Sequence, residues 1–431
     1  MLSGFTVPSP LRSLTVAALL VLAPSSALAG GAEWIVDASG GPGFDFTDIP
    51  SAIAVAQQND RVFVRPGTYS GFVLNKSIVV RGVAGARVNG VARIQDIAAN
   101  TRCAVSTLEI DTLVVTGCSG GVVLEQIKSW PSGANDSLPL VVQNSADVRM
   151  VECDFEPAYW PDGAGLSAVS VSASALEVVN SSLRGQHGDG FDFSPAFSPG
   201  RGGAGLIAQS SSTISIALSE LAGGGGGWAD FGKGQDGGAA FELSGSGRAR
   251  VAASILSGGN GGAGSFGGCG GTFGDGRGGA AIRCTTLGLA RHSALAATGG
   301  FGFDCGQAAP FSTATGGQIL LAATASPTLD LLNTNAAGAV TLRVRGPANS
   351  TARVWLGRTM VTPTPNTDVV GLLTNRARIQ NLGTLPAGGQ VDAFFTLPGS
   401  VDTGELVIAQ ADVLTSTGEL LYSNSVCFTP P

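Results

Sequence analysis

The chain has 431 residues, enough for two or three domains, with 13% charged, 44% apolar and 65 glycines. That balance suits short strands and turns over helices, which carry Lys and Glu on their exposed faces, and its apolar share argues against disorder. A formal net charge of -7 without any basic run argues against a nucleic-acid partner, whose phosphates require clustered Lys and Arg.

Residues 1–29 have the layout of a secretory leader: Arg12, an apolar run over 14–23, and the small-x-small site Ala27-Leu28-Ala29. The mature chain is expected to begin at Gly30 and to be secreted or held at the cell surface. No second apolar stretch of about 20 residues follows, so no membrane span is expected in it. All seven cysteines lie beyond the leader, where export permits disulfides, and their odd number leaves one unpaired within the chain. No C-x-x-C pair occurs, which removes a zinc ribbon or thioredoxin-like motif.

The mature N-terminus reads as a strand (Trp34 to Asp37), a glycine-rich turn and a helix running through Gln58. Thr47 or Asp48 is placed to cap that helix, with Pro50 in its first turn. A strand over 60–69 closes on Pro66-Gly67-Thr68-Tyr69, and another covers Ser77 to Gly82. Asp37, Phe46-Thr47, Ala52-Ile53-Ala54, Val62 to Tyr69 and Ile78 to Gly82 together resemble the opening of pectin-lyase-like right-handed β-helix proteins, pectin methylesterases in particular. The resemblance covers residues 34–82 and implies the fold: a capping helix followed by stacked parallel coils. It implies little about chemistry, because many functions share that opening.

From Leu108 onward a short phrase recurs, a small or polar residue, any residue, then an apolar one. The apolar anchors are Leu108, Ile127, Phe155, Leu183, Leu221, Leu256 and Leu295, between 19 and 39 residues apart. A unit that cannot bury its own apolar face signals a solenoid, in which the next turn supplies the missing wall. Leu108, Ile127, Leu183, Leu221 and Leu256 are expected to point inward in one line. The extra length always follows the anchor, over 128–139, 156–165, 184–205, 222–238, 257–279 and 296–317, so the inserts should leave at one corner and stack into one face. Past residue 324 the glycine clusters thin out. Alternating runs such as Val340 to Val344 and Val391 to Phe395 then suggest an antiparallel β-sandwich, or a shield for the open end of the solenoid. The expected architecture is therefore all-β: a signal peptide over 1–29, a right-handed parallel β-helix over 30–321 with an N-terminal capping helix, and a C-terminal antiparallel β-sandwich over 324–431.

Methylesterase chemistry would need carboxylates, an arginine and glutamines on adjacent middle coils, and the Gln-Asp-Thr-Leu and Leu-Gly-Arg-Pro-Trp motifs of the family are missing there. Calcium-dependent lyase chemistry needs only acidic metal ligands and an Arg or Lys to take the proton α to a carboxylate. The inserts offer Asp189, Asp192, Asp230 and Asp275 as weak metal candidates. Asp189, Asp192, Asp230, Arg201 and Arg277 are equally weak catalytic ones. Aspartates in glycine-rich loops more commonly bond their own turns. The scarce aromatics fall in the inserts, where flat rings could stack on sugars; Tyr159, Trp160, His187, Trp228 and Asp236 are the ligand-binding candidates. The phenylalanines, Phe301 among them, are expected to pack on the solenoid wall. The glycine runs fit stacked extended segments or flexible loops, since no P-loop context surrounds them.

Cys269 and Cys305 occupy similar places in consecutive inserts and are expected to form a disulfide. Cys284 with Cys305 is the competing pair. The leading reading is a non-catalytic secreted or cell-surface protein that binds polysaccharide or another surface polymer through its insert face. The second is a polysaccharide lyase or glycoside hydrolase, with calcium as the conceivable cofactor. The third is a structural adhesin or spacer.

Overall fold

A computed structural model describes residues 31–129, 138–158, 163–189, 199–229, 232–265, 274–293, 296–302, 305–314, 317–321, 327–334, 339–357, 360–361, 372–373, 376–397, 407–418 and 420–428. The chain is nearly all β. Ile49–Val55 is the one helix among the described residues. Asp48 caps it, its carboxylate accepting the Ser51 amide at 2.8 Å. The helix stops three residues short of Gln58 because Ala56 turns to an extended conformation. There the Lys76 ammonium donates to the carbonyls of Ile53, Ala54 and Ala56, neutralising the negative end of the helix.

Two long parallel sheets dominate, one of 11 strands and one of 16. The chain alternates between them, each circuit adding a strand beside its predecessor, in a solenoid-like stack. The first sheet includes Arg61–Val64, Val79–Gly82, Gly121–Glu125, Ala175–Val179 and Arg248–Ala252. Pro66-Gly67 is the corner where the expected strand over 60–69 breaks and moves from the first sheet to the second. The second sheet folds into two arms about Glu109–Thr116, an unbroken strand whose first half pairs with Lys128–Ser129 and second half with Leu140–Gln143. In later coils the chain leaves at this bend and returns, so the inserts do emerge at one corner.

Inside the stack, residues of like position form apolar columns. Tyr69, Val88 and Ile110 open a line that is interrupted by Ser129 and continues through Phe155, Leu183, Leu221, Leu256 and Ala297. Leu108 and Ile127 are not in it: they sit two residues earlier, in register with Cys153, Ser181, Ser219 and Ser254. The expected single line is thus two lines, both inward and buried. In the next coil Ala297 pairs with Leu256, and the last expected anchor, Leu295, lies outside the described residues. The serine of the phrase has a structural task. Each Oγ of Ser181, Ser219 and Ser254 accepts the amide of the equivalent residue one coil before, at 3.0 to 3.1 Å, and donates to the carbonyl two residues back. Ser145, Ser174 and Ser212 form a matching ladder at another corner. Each ladder satisfies donors that a tight bend would otherwise leave buried and unpaired.

Residues beyond Pro327 form antiparallel sheets of three and four strands that share one apolar core. They lie along the outer side of the first parallel sheet. Ala104, Val123 and Ile408 pack together there, with Val79 and Trp355 beside them. Arg149, Glu177 and Ser215, outward on successive strands, are covered as well. Arg149 donates to Ser425 Oγ at 2.7 Å, the Ser425 amide donates to Glu177 at 2.7 Å, and Ser425 Oγ donates to the other Glu177 oxygen. Arg250 donates to the carbonyls of Tyr422 and Pro327.

Candidate functional site

The inserts form a flange of two layers of extended, glycine-rich chain. Outgoing segments over 184–189, 222–229, 257–264 and 298–302 stack on one another. Returning segments over 163–168, 199–205, 233–240, 274–281 and 305–310 stack behind them. Amides of successive coils bond within each layer, as Gly188 to Gly225, Gly226 to Asn260 and Gly261 to Phe301. Between the layers a hydrogen-bond chain runs from Ala308 through Gly300, Gly279, Gly259, Gly238, Gly224 and Gly203 to Gln186 and Leu166, each amide donating to the next carbonyl. A second runs from Gly276 through Gly262, Gln235, Gly227, Gly200 and Asp189 to Gly163. The two chains are three residues apart in sequence, the period of a polyproline-II-like helix, which has no internal hydrogen bonds and so offers every amide to its neighbours. Glycine is required because the segments touch: a methyl added at Gly224 would fall 1.8 Å from the Gln186 carbonyl oxygen.

Exposure follows the same period of three. In the outgoing layer Arg184 and His187, then Trp228, Asn260, Thr298 and Phe301, face solvent, while the residues between them are buried or half-buried. Trp228 is 56% and Phe301 59% exposed. Phe301 therefore does not pack on the wall as expected, because its place in the period turns it outward. The His187 Nδ1 accepts the Gly225 amide at 2.9 Å, which leaves Nε2 as the donor that faces away. The Asn260 side-chain Oδ1 likewise accepts the Phe301 amide at 2.9 Å. In the returning layer Arg201, Asp236 and Arg277 occupy one column, the two arginines exposed, with Asp236 accepting the Arg277 amide at 2.9 Å.

Among the expected carboxylates, Asp189 and Asp275 fall on inward positions and are buried. The Asp275 carboxylate accepts the Gly264 amide at 2.7 Å. Asp236 and Asp275 thus bond backbone amides of other segments, 41 and 11 residues away, and not their own turns. Among the described residues no three of His, Cys, Asp and Glu are placed together to hold a metal ion. Tyr159, Trp160, Asp192 and Asp230 lie outside the described residues, as does Cys269. Cys305 is disulfide-bonded. Cys284 is a free thiol, which removes the competing pair. Sequence reasoning missed Asn260. The signal was the spacing of non-glycine residues at every third position, Arg184 to His187, Ser257 to Asn260 to Ala263 and Thr298 to Phe301 among them.

No protein-family model and no curated protein matches the chain. Among solved structures it is similar to a DUF3823 family protein from Bacteroides ovatus, at 15% identity over 28% of this chain and 62% of that one, with a TM-score of 0.21. It is also similar to full-length tailspike protein 2 from the Escherichia coli O157:H7 bacteriophage CAB120, at 11% identity over 93% of this chain and 65% of that one, TM-score 0.30. The enzymatically active domain of bacteriophage CBA120 tailspike protein 2 gives 9% identity over 92% and 72%, TM-score 0.26. The chain thus spans less than two thirds of the first two.

Proposed function

We propose that the chain is an exported right-handed parallel β-helix, closed at its N-terminal end by the helix Ile49–Val55 and followed by a β-sandwich, which binds polysaccharide or another surface polymer on the outgoing face of the flange without turning it over. The observation that carries this reading is the pair of exposed rings, Trp228 and Phe301, on a rack that hydrogen bonding holds still. By the rise of such chains they stand about 9 Å apart along the segments, and by strand spacing about 10 Å apart across two coils. Only an oligomeric ligand bridges that diagonal. His187, Asn260 and Arg184 lie on the same face with polar atoms for hydroxyl groups, and flat rings beside such donors suit the apolar faces of sugars.

Affinity electrophoresis against a panel of neutral and acidic polysaccharides tests this. Trp228→Ala and Phe301→Ala should each reduce retardation at least fivefold with an unchanged melting temperature, and Trp160→Ala should do the same. Retardation that neither described variant alters removes the flange as the site. New absorbance from unsaturated sugar products would replace the reading with a lyase. We further propose that the partner of Cys305 is Cys269. Peptide mapping of unreduced, alkylated protein should recover the two in one linked species.

A further inference from the structure

We propose a second, unrelated ligand site: a depression of about 490 Å³ between the helix Ile49–Val55 and the strands Val73–Leu74 and Ala86–Gln95, which takes an amphipathic monoanion, a carboxylate on a hydrocarbon body. Its floor is apolar and fixed. Ile53 and Phe72 are buried beneath it, while Val73 and Val91 stand 49% and 45% exposed on it. Val91 reaches this position through a register shift between Val88 and Val91, where Gly90 adopts a positive φ of 85°. A bulge of this kind re-aims a side chain out of the regular pleat. Gly71 clamps the same place, since an added methyl would lie 2.2 Å from the Val91 carbonyl oxygen.

The charges around this floor are one-sided. The depression is lined by two cations, Lys76 and Arg93, and by no acidic residue. The Lys76 ammonium is committed to three helix carbonyls and lies within electrostatic reach of Asp60. Arg93 is exposed, and its guanidinium has no partner among the described residues. A volume within the range of small-molecule sites, an apolar floor and one uncommitted fork-shaped cation select a ligand with one carboxylate and an apolar tail. This site is independent of the flange reading, because it lies on the first coils, far in sequence from any insert.

Titration calorimetry of the mature protein with decanoate and with decanol tests the proposal. Decanoate should bind, Arg93→Gln should weaken it at least fivefold, and decanol should be indifferent to that substitution. Val91→Trp, which fills the depression from an exposed position, should abolish binding of both. Decanoate affinity unchanged in either variant would overturn the assignment, as would no decanoate binding at all. A self-associating protein that Val91→Asp makes monomeric would show that a second copy occupies the depression, and would overturn it too.

Discussion

At Gly224 the whole logic of the flange rests on a missing methyl. With the Gln186 carbonyl oxygen 1.8 Å from where a Cβ would sit, alanine cannot enter without parting two layers. Gly224→Ala should lower stability by about 2 to 4 kcal/mol, the range for backbone strain with lost packing. Gly388, with nothing within 4 Å of its notional Cβ, is the control: Gly388→Ala should be neutral in the same urea melts. Glu125 supplies a different test. Burial first, and then the neighbouring Glu152, raise its carboxyl to about 7, against a smaller opposing pull from Arg81. An acid whose folded value is raised binds its proton more tightly when folded. Its stabilising contribution is complete below the unfolded value near 4.5 and is lost as pH rises through about 7. Glu125→Gln should therefore gain stability at pH 8, up to a ceiling of about 3 kcal/mol from the linkage relation, and gain none at pH 4. Equal gains at both pH values would sink this account.

Among the elements, the contact between the first parallel sheet and the C-terminal strands decides most. Arg149 and Glu177 are buried on adjacent strands and bound through Ser425, and burial raises the Glu177 carboxyl above its usual range despite Arg149. Arg149 also donates to the less buried Asp147 at 3.0 Å, so its removal alone strands Glu177 and unpairs Asp147, whereas removing Glu177 with it relieves the deeper charge. Arg149→Met alone should cost about 3 to 5 kcal/mol, and the double variant Arg149→Met with Glu177→Leu should recover most of that in thermal unfolding. This docking was only half legible in the sequence. Strands such as Ala175–Val179 and Thr213–Ala217 are buried on both faces or nearly so. Runs like Leu176-Glu177-Val178-Val179 lack the strict alternation of a strand wetted on one side, which was the available signal. The partner could not be read, because Ser425 lies 248 residues from Glu177 and its contacts follow no local period. The coil phrase was legible because stacking repeats it. Its register was not, because Leu108 and Leu183 match in letters while sitting two places apart in the stack. In the flange, glycine content was plain, but its period of three matches neither the two of a strand nor the 3.6 of a helix.

For the molecule as a whole, the columns tie every coil to the next, so one charge inside has a distributed effect. Leu221 is fully buried between Leu183 and Leu256. Leu221→Asp should place an unpaired carboxylate in that column and prevent soluble folding. Soluble, equally heat-resistant variant protein in a fractionation and melting assay would count against the register described. The flange carries a separate consequence. Because backbone bonds hold most of its layers, and only every third residue looks outward, the residues that make the rack are, apart from His187 and Asn260, not those that a ligand would meet. Such a surface behaves as a printed grid: its outward letters can be rewritten one at a time, in a spelling that leaves the paper intact.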